Sequence, residues 1–235
     1  MARQVVLDTE TTGLHARLGD RVVEIGCVEL VNRRVSERTF HQYLNPEREL
    51  DDGAVKVHGL TREFLADKPL FGVVAADFVA FVKGAEILIH NASFDTEFLD
   101  AELKRCGLGR LADHVAGVVD TLAMARELHP GKRNALDSLC ERYAVDNSHR
   151  TMHGALLDAR LLAEVYLAMT RGQESLVIDD GAPAAAVATA VCFDASRLIV
   201  LKASDEELAA HEQALDRLDK TSGGKTVWRR TAQQP

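Results

Sequence analysis

The chain has no C-x-x-C pair. Its four cysteines, Cys27, Cys106, Cys140 and Cys192, are scattered, which excludes the common zinc and thiol-redox spacings and suits a reducing compartment. Positive charge is also short. With 36 acids against 28 Lys and Arg, the formal net charge is −8, the wrong sign for a protein that coats a duplex by neutralising phosphates. An enzyme that holds a single strand end stays open, because bound divalent cations would supply charge locally. No apolar run is long enough to span a bilayer; the stretch from Gly181 to Val191 is too short and too rich in Ala. Met1-Ala2-Arg3-Gln4 leads straight into a strand pattern with no signal-peptide character, so a cytoplasmic protein without a membrane partner is expected. No internal repeat is visible. What remains is a chain of 235 residues, 46% of them apolar, enough for one full domain and a smaller remainder.

Val5-Val6-Leu7 reads as a buried strand running into Asp8-Thr9-Glu10-Thr11-Thr12-Gly13, and Val22 to Val31 as a second strand. A third spans Arg34 to Leu44 and closes on Asn45-Pro46. Leu70, Val73, Val74, Phe78, Phe81 and Val82 recur at helical spacing between Pro69 and Lys83. Glu86 to His90 is another strand, followed by a helix with Phe94, Phe98, Leu99 and Leu103 on one face, and Val118 to Asp120 is a further short strand. Helical patterns follow over Thr121–Leu128, Asn134–Tyr143 and Gly154–Met169, with Gly172 as a C-cap. Strands first, then β/α alternation, imply a mixed α/β sheet with helices on its faces. Beyond 172 the composition turns to Ala, Gly, Asp and Pro, a linker pattern. Val191–Phe193 and Leu198–Lys202 then suit a hairpin, and Ser204 with Glu207 forms a capping box opening a helix whose stripe is Leu208, Leu215 and Leu218.

Asp8 and Glu10 stand two residues apart at a strand's end, so strand periodicity turns both carboxylates to one face. Two such anions repel unless a cation lies between them, and hard divalent ions prefer oxygen ligands. The plainer account is a solvated strand end, since D-T-E-T-T-G is also good turn composition. Asp95 falls in the first turn of the helix after His90, where the helix dipole alone would explain it; yet the C-terminal ends of strands are also where α/β sites gather. His153 and Asp158 are five residues apart, about 140° on a helix of roughly 3.6 residues per turn. They share a face only if His153 lies in the loop before the helix and Asp158 one turn in. A lone His at a helix start is more often incidental.

Taken together, D-x-E at a strand end, an Asp after a later strand and H-x-x-x-x-D opening the last large helix resemble the DEDDh exonuclease superfamily. That resemblance implies a ribonuclease H-like fold and a site made of Asp8, Glu10, Asp95, Asp158 and His153. Val-His-Gly-Leu-Thr (57–61), Pro-Gly-Lys-Arg-Asn-Ala-Leu-Asp (130–137) and the run from His153 to Met169 extend it, over about Gln4 to Gly172, to the epsilon (proofreading) subunits of bacterial DNA polymerase III. One departure stands out: Gly53 lies five residues before His58, where members of that family often have Glu, and Asp51 or Asp52 could substitute.

The resemblance implies a two-cation 3′→5′ exonuclease using Mg²⁺ or Mn²⁺. Asp8, Glu10 and Asp158 would hold one ion, Asp8 would bridge to a second that Asp95 supports directly or through water, and His153 would be the general base. Thr11, Gly13, His58, Asn91 and Phe94 would meet the terminal nucleotide of a single-stranded 3′ end of DNA, with turn, cap or core roles as the plainer account of each. Lys132 and Arg133 would meet phosphates, or simply face solvent. The organisation expected is an exonuclease domain over 1–172, a linker over 173–190 and a docking segment over 191–235. In the linker, Gln173, Leu176 and Ile178 resemble a sliding-clamp peptide. The docking segment, with the single tryptophan Trp228, is too small to fold alone and would bind the polymerase catalytic (alpha) subunit; a small accessory subunit is a further partner. Two other readings share the five residues: a free-standing ribonuclease trimming RNA ends, which needs no docking tail, and a catalytically dead scaffold.

Overall fold

The computed structural model describes residues 3–150, 152–171 and 203–223. The expectations for Gln173, Leu176, Ile178 and Trp228, for Gly172, and for the linker and the hairpin fall outside those residues. The chain divides into two compact units, Met1–Val177 and Ile178–Pro235.

The first unit is built on five strands, β1 (Arg3–Thr11), β2 (Val22–Val31), β3 (Arg34–Tyr43), β4 (Glu86–Ile89) and β5 (Gly117–Asp120), in the order β3-β2-β1-β4-β5. β1 runs antiparallel to β2, and β2 to β3, whereas β4 and β5 are parallel to β1. This is the mixed sheet expected from hairpin-like strands followed by β/α alternation. Both faces are covered, which is why Val5-Val6-Leu7 and most of β2 are apolar without alternation. On one face, Val5 and Leu7 pack with Phe71, Phe78, Phe98, Leu99 and Leu103 from helices α3 (Phe71–Val82) and α4 (Ala92–Arg105). On the other, Val6 packs with Leu139, Ala159, Leu162, Val165 and Met169 from α6 (Leu136–Tyr143) and α7 (Ala155–Met169). Between them α5 (Thr121–Leu128) is opened by Asp120, whose carboxylate accepts from the Leu122 and Ala123 amides.

The strand period carries this division to the end of β1. Asp8 and Glu10 have the parity of Val6 and face α7; Thr9 has that of Leu7 and faces α4. Asp8 pairs with Gly26 of β2, and Gly26 is the point where α7 meets the sheet. A Cβ there would sit 2.2 Å from the Ala155 carbonyl carbon and the Leu156 nitrogen, which are backbone atoms that cannot give way. Glycine at 26 therefore lets the first turn of α7 rest beside Asp8. Overpacking such a contact costs about 1–3 kcal/mol or more.

Two expected boundaries and one cap move. Asn134 and Ala135 lie outside α6, because the Asn134 amide donates to the carbonyls of His129 and Lys132 and so stabilises the preceding turn. Helix α7 ends at Met169 as expected, but its cap is Thr170 and not Gly172, with Thr170 donating from both amide and hydroxyl to the Tyr166 carbonyl. Strand β3 stops at Tyr43, one residue before Leu44. Two short helices have no counterpart in the periodicity: α1 (Asp52–His58), ended by Gly59 at φ 73°, and α2 (Arg62–Leu65), capped by Thr61.

In the second unit the described residues form α8 (Asp205–Ser222), with the capping box of Ser204 and Glu207 in place. Its expected apolar stripe is uneven: Leu215 is buried while Leu208 and Leu218 are about half exposed. No helix among the described residues is long and apolar enough to cross a membrane.

Candidate active site

The five expected residues meet at the C-terminal ends of β1 and β4. Asp8 and Glu10 come from β1 just before its register breaks at Glu10–Thr11. Asp95 enters from the first turn of α4 and accepts hydrogen bonds from the Thr9 amide (3.1 Å) and hydroxyl (2.7 Å), so it is tied to the residue between the two acids. Asp158 lies in the first turn of α7, and His153 in the loop before it. One ligand atom each from Glu10, His153 and Asp158 falls within 4.8 Å of the others. His153 Nδ1 is 3.1 Å from Asp158 Oδ2, and the His153 amide donates to the Val57 carbonyl at 3.1 Å, pinning its loop to α1.

Electrostatics make this a strained collection of charges. Burial first, and then Asp95, Glu10 and Asp158, push the Asp8 carboxyl well above the ordinary range. Glu10 is pushed up to about 8 by burial, then by Asp158 and Glu24. Burial also raises Asp95, against the pull of its Thr9 hydrogen bonds. Asp158 goes the other way: burial would raise it, but His153 and Arg150 together hold it below the usual value. Without a further cation, burial and mutual repulsion work against ionisation of both β1 acids. A desolvated set of carboxylate oxygens with an imidazole at its edge is what a hard divalent cation relieves, and the donor chemistry fits one.

Two clefts open on either side of the acids. The first, about 570 Å³, is lined by Asp8, His153 and Asp158 with Arg126, Lys132 and Arg150. The second, about 540 Å³, is lined by Glu10, Thr11 and Gly13 with Leu14, Val57, His58 and Phe94. His58 is buried at the end of α1. Its Nδ1 accepts from the Leu60 amide at 3.0 Å; Nε2 is therefore the protonated nitrogen and donates to the Thr11 carbonyl at 3.3 Å. Burial lowers its pKa, so the ring is neutral. Phe94 is half-buried, tilted against Phe98 at 4.9 Å between centroids, and joins core and cleft at once. The Thr11 hydroxyl is spent on the Gly13 carbonyl. Gly13 turns in close quarters, where a Cβ would sit 2.5 Å from Asp20 Oδ2 and 2.6 Å from Asp51 Oδ2. Asn91 is exposed, at φ 71°, and makes the turn into α4, so its place is in the backbone path. Of the two basic loop residues, Lys132 lines the first cleft, while Arg133 is exposed and offers its carbonyl to Arg142.

Sequence reasoning passed over two charged residues here. Glu24, buried on β2, faces Glu10 across the ladder and accepts from His41 at 2.7 Å; its only sign in the sequence was a Glu inside the apolar run Val22–Val31. Arg150 clamps Asp158 through both carboxylate oxygens, a contact that spacing does not foretell.

Against known proteins, a family model described as Exonuclease matches residues 5–166. Among solved structures, E. coli exonuclease I bound to single-stranded DNA superposes with a TM-score of 0.65 at 21% identity, covering 74% of this chain and 41% of that one. Exonuclease X with a 5′-overhanging duplex gives 0.56 at 23%, covering 72% and 92%. At those identities the likeness speaks for the fold, which is ribonuclease H-like. The fold and the matched model make the chain an exonuclease by family. Its curated relatives narrow this further. The DNA polymerase III subunit epsilon of Pasteurella multocida is 49% identical over 237 residues, 96% of this chain and 93% of that protein. The same subunit of Escherichia coli is 48% identical over 241 residues, 97% and 98%. The chain belongs to the DNA polymerase III epsilon-subunit family.

Proposed function

We propose that this protein is the proofreading 3′→5′ exonuclease of a bacterial replicative polymerase, removing mismatched 3′-terminal nucleotides from DNA. The observation that carries the reading is the convergence of Asp8, Glu10, Asp95 and Asp158 beside His153, between a cleft of mixed charge and an apolar one. In this reading Asp8, Glu10, Asp95 and Asp158 would hold two divalent cations, Mg²⁺ or Mn²⁺. Two such ions would stabilise charge on both the attacking and leaving oxygens of the phosphodiester.

The chain's own residues do the rest. His153, at the mouth of the first cleft, accepts the proton of the attacking water as general base. The apolar wall of Leu14, Val57 and Phe94 stacks the terminal base, while His58 and Thr11 hold the backbone beside it. Lys132 and Arg126 face the phosphate of the penultimate nucleotide. The family's polymerase association supports partnership with the catalytic subunit through the segment 191–235 and Trp228. Contact with the sliding clamp through Gln173, Leu176 and Ile178, and with a small accessory subunit, completes the proposal.

The test is digestion of a labelled strand with Mg²⁺ or Mn²⁺, comparing DNA with RNA and paired with mismatched ends. DNA should shorten from its 3′ end only with the ion present, and faster at a mismatch. Asp8→Ala and Asp158→Ala should reduce cleavage to background while leaving the circular-dichroism spectrum unchanged. Wild-type rates in either variant would refute the site; a preference for RNA would favour the ribonuclease reading.

A further inference from the structure

Arg150 is enclosed in the acidic cluster, its side chain only 7% exposed. Nε donates to Asp158 Oδ1 and Nη2 to Asp158 Oδ2, each at 2.6 Å, so the guanidinium fork takes both oxygens of one carboxylate. Nη1 reaches back to Asp137 Oδ1 of α6 at 2.7 Å. Nη2 also stands 2.7 Å from His153 Nδ1, a nitrogen that can accept from Arg150 only when it does not donate to Asp158 Oδ2, 3.1 Å away.

We propose that Arg150 is an internal counter-cation of the active site, gripping Asp158 when no divalent ion is bound and yielding an Asp158 oxygen to an incoming ion. The inference rests on the reading above, in which Asp158 is a ligand. Folding several carboxylates into one desolvated site is costly unless some positive charge is folded with them. Arginine suits that role because it stays charged at any working pH and matches a carboxylate with two parallel hydrogen bonds. Its charge acts locally, on the one carboxylate whose two oxygens it holds. Asp137, more than half exposed, is a second partner on which the guanidinium can stay when Asp158 turns to an ion. The same displacement releases His153 from Arg150 Nη2, so capture of the ion and freeing of the base are one event. Affinity for the ion is thereby set lower than the carboxylates alone would give.

The experiment is titration of the full chain with Mn²⁺ alone, followed by calorimetry or by the free-ion resonance signal. Arg150→Gln should bind about tenfold more tightly than wild type, roughly the worth of one charge-assisted hydrogen bond no longer competing. Arg150→Lys keeps the charge but cannot span both oxygens, and should fall between the two. Thermal midpoints provide a second readout: the Gln variant should lose more stability without Mn²⁺ than with it, whereas a purely structural role would lower both alike. Equal or weaker Mn²⁺ binding by a folded Gln variant overturns the inference. If that variant does not fold, the Lys variant decides by the same criterion. Should Asp158→Asn bind Mn²⁺ as wild type does, the site reading itself fails, whatever the Arg150 variants do.

Discussion

The two clefts that flank Glu10 have nearly the same volume and opposite character. The first carries Arg126, Lys132 and Arg150 facing Asp8 and Asp158; the second is walled by Leu14, Ala54, Val57 and Phe94, with His58, Glu10 and Asp51 among its polar groups and no Lys or Arg. A nucleotide has the same two halves, an anionic phosphate and a flat apolar base, and the buried acids lie between the two clefts. The difference teaches how a chain of net charge −8 can hold DNA. In the function proposed, a few cations would meet phosphate and the base would be left to stacking. If the comparison holds, damage to the first cleft should strike turnover and damage to the second should strike binding.

His153→Ala should give the largest effect of the substitutions argued here, cutting kcat by about 10²–10⁴-fold, the usual worth of a general base, with KM little changed. The side chain is about half exposed, so folding should survive. An unaltered kcat would remove His153 from the chemistry and leave the first cleft with only its metal ligands.

The acids themselves give the next test, in the absence of divalent ions. Glu10 has an ordinary pKa of 4.5 and is pushed up to about 8 in the fold. Between those values the folded protein keeps a proton that the unfolded chain has shed, so stability is full below the lower value and is lost as pH rises through the higher one. Asp8 shifts in the same direction; Asp158 shifts oppositely, and its contribution is lost only in strong acid. The chelated protein should therefore melt several degrees lower at about pH 8.5 than at about pH 6, each kcal/mol being worth roughly 2–4 °C in a domain of this size. Glu10→Gln should flatten the dependence, and added Mn²⁺ should reverse it. A flat profile for the chelated wild type would mean that the acids are not forced together as the geometry implies.

How much of this was legible in the sequence differs between the same two clefts. Asp8 and Glu10 announced themselves because a strand has a period of two and Val5-Val6-Leu7 marked the strand. The loop position of His153 followed from the angle between it and Asp158, and helix α5 was readable to the residue. The second cleft was legible through the resemblance, which named Thr11, Gly13, His58 and Phe94, and not through periodicity, because α1 is seven residues long and α2 four, too short to show a period. Arg150 and Glu24 were hidden for another reason. Their partners lie 8 residues away across a loop and on a neighbouring strand, so only the assembled register and the close seat of α7 on Gly26 bring them in. Asn91, which the resemblance put in the groove, opens α4 at φ 71° with its side chain exposed, a backbone role that spacing does not foretell.

The second cleft is tested by Phe94→Ala and sharpened by Gly53. Phe94 loses its face toward the cleft in that variant, and base stacking on an aromatic ring is worth about 1–3 kcal/mol; most of it should appear as a raised KM for single-stranded DNA. Because Phe94 also packs on Phe98, the loss has to be separated from softening of the core, and the conservative Phe94→Leu, which keeps the apolar volume without the flat face, does so. If the Leu variant matches wild type in KM, the ring is a core residue and the second cleft needs another base-holding wall. Gly53 bears on the same wall with the smallest expected effect. A Cβ there meets nothing within 4 Å, so Gly53→Glu should fold as wild type does and place a carboxylate in the cleft that Asp51 already lines. If Asp51 already supplies the polar contact there, KM should stay within about twofold, well inside 1 kcal/mol. A large gain in affinity would show that Asp51 leaves that contact unmade.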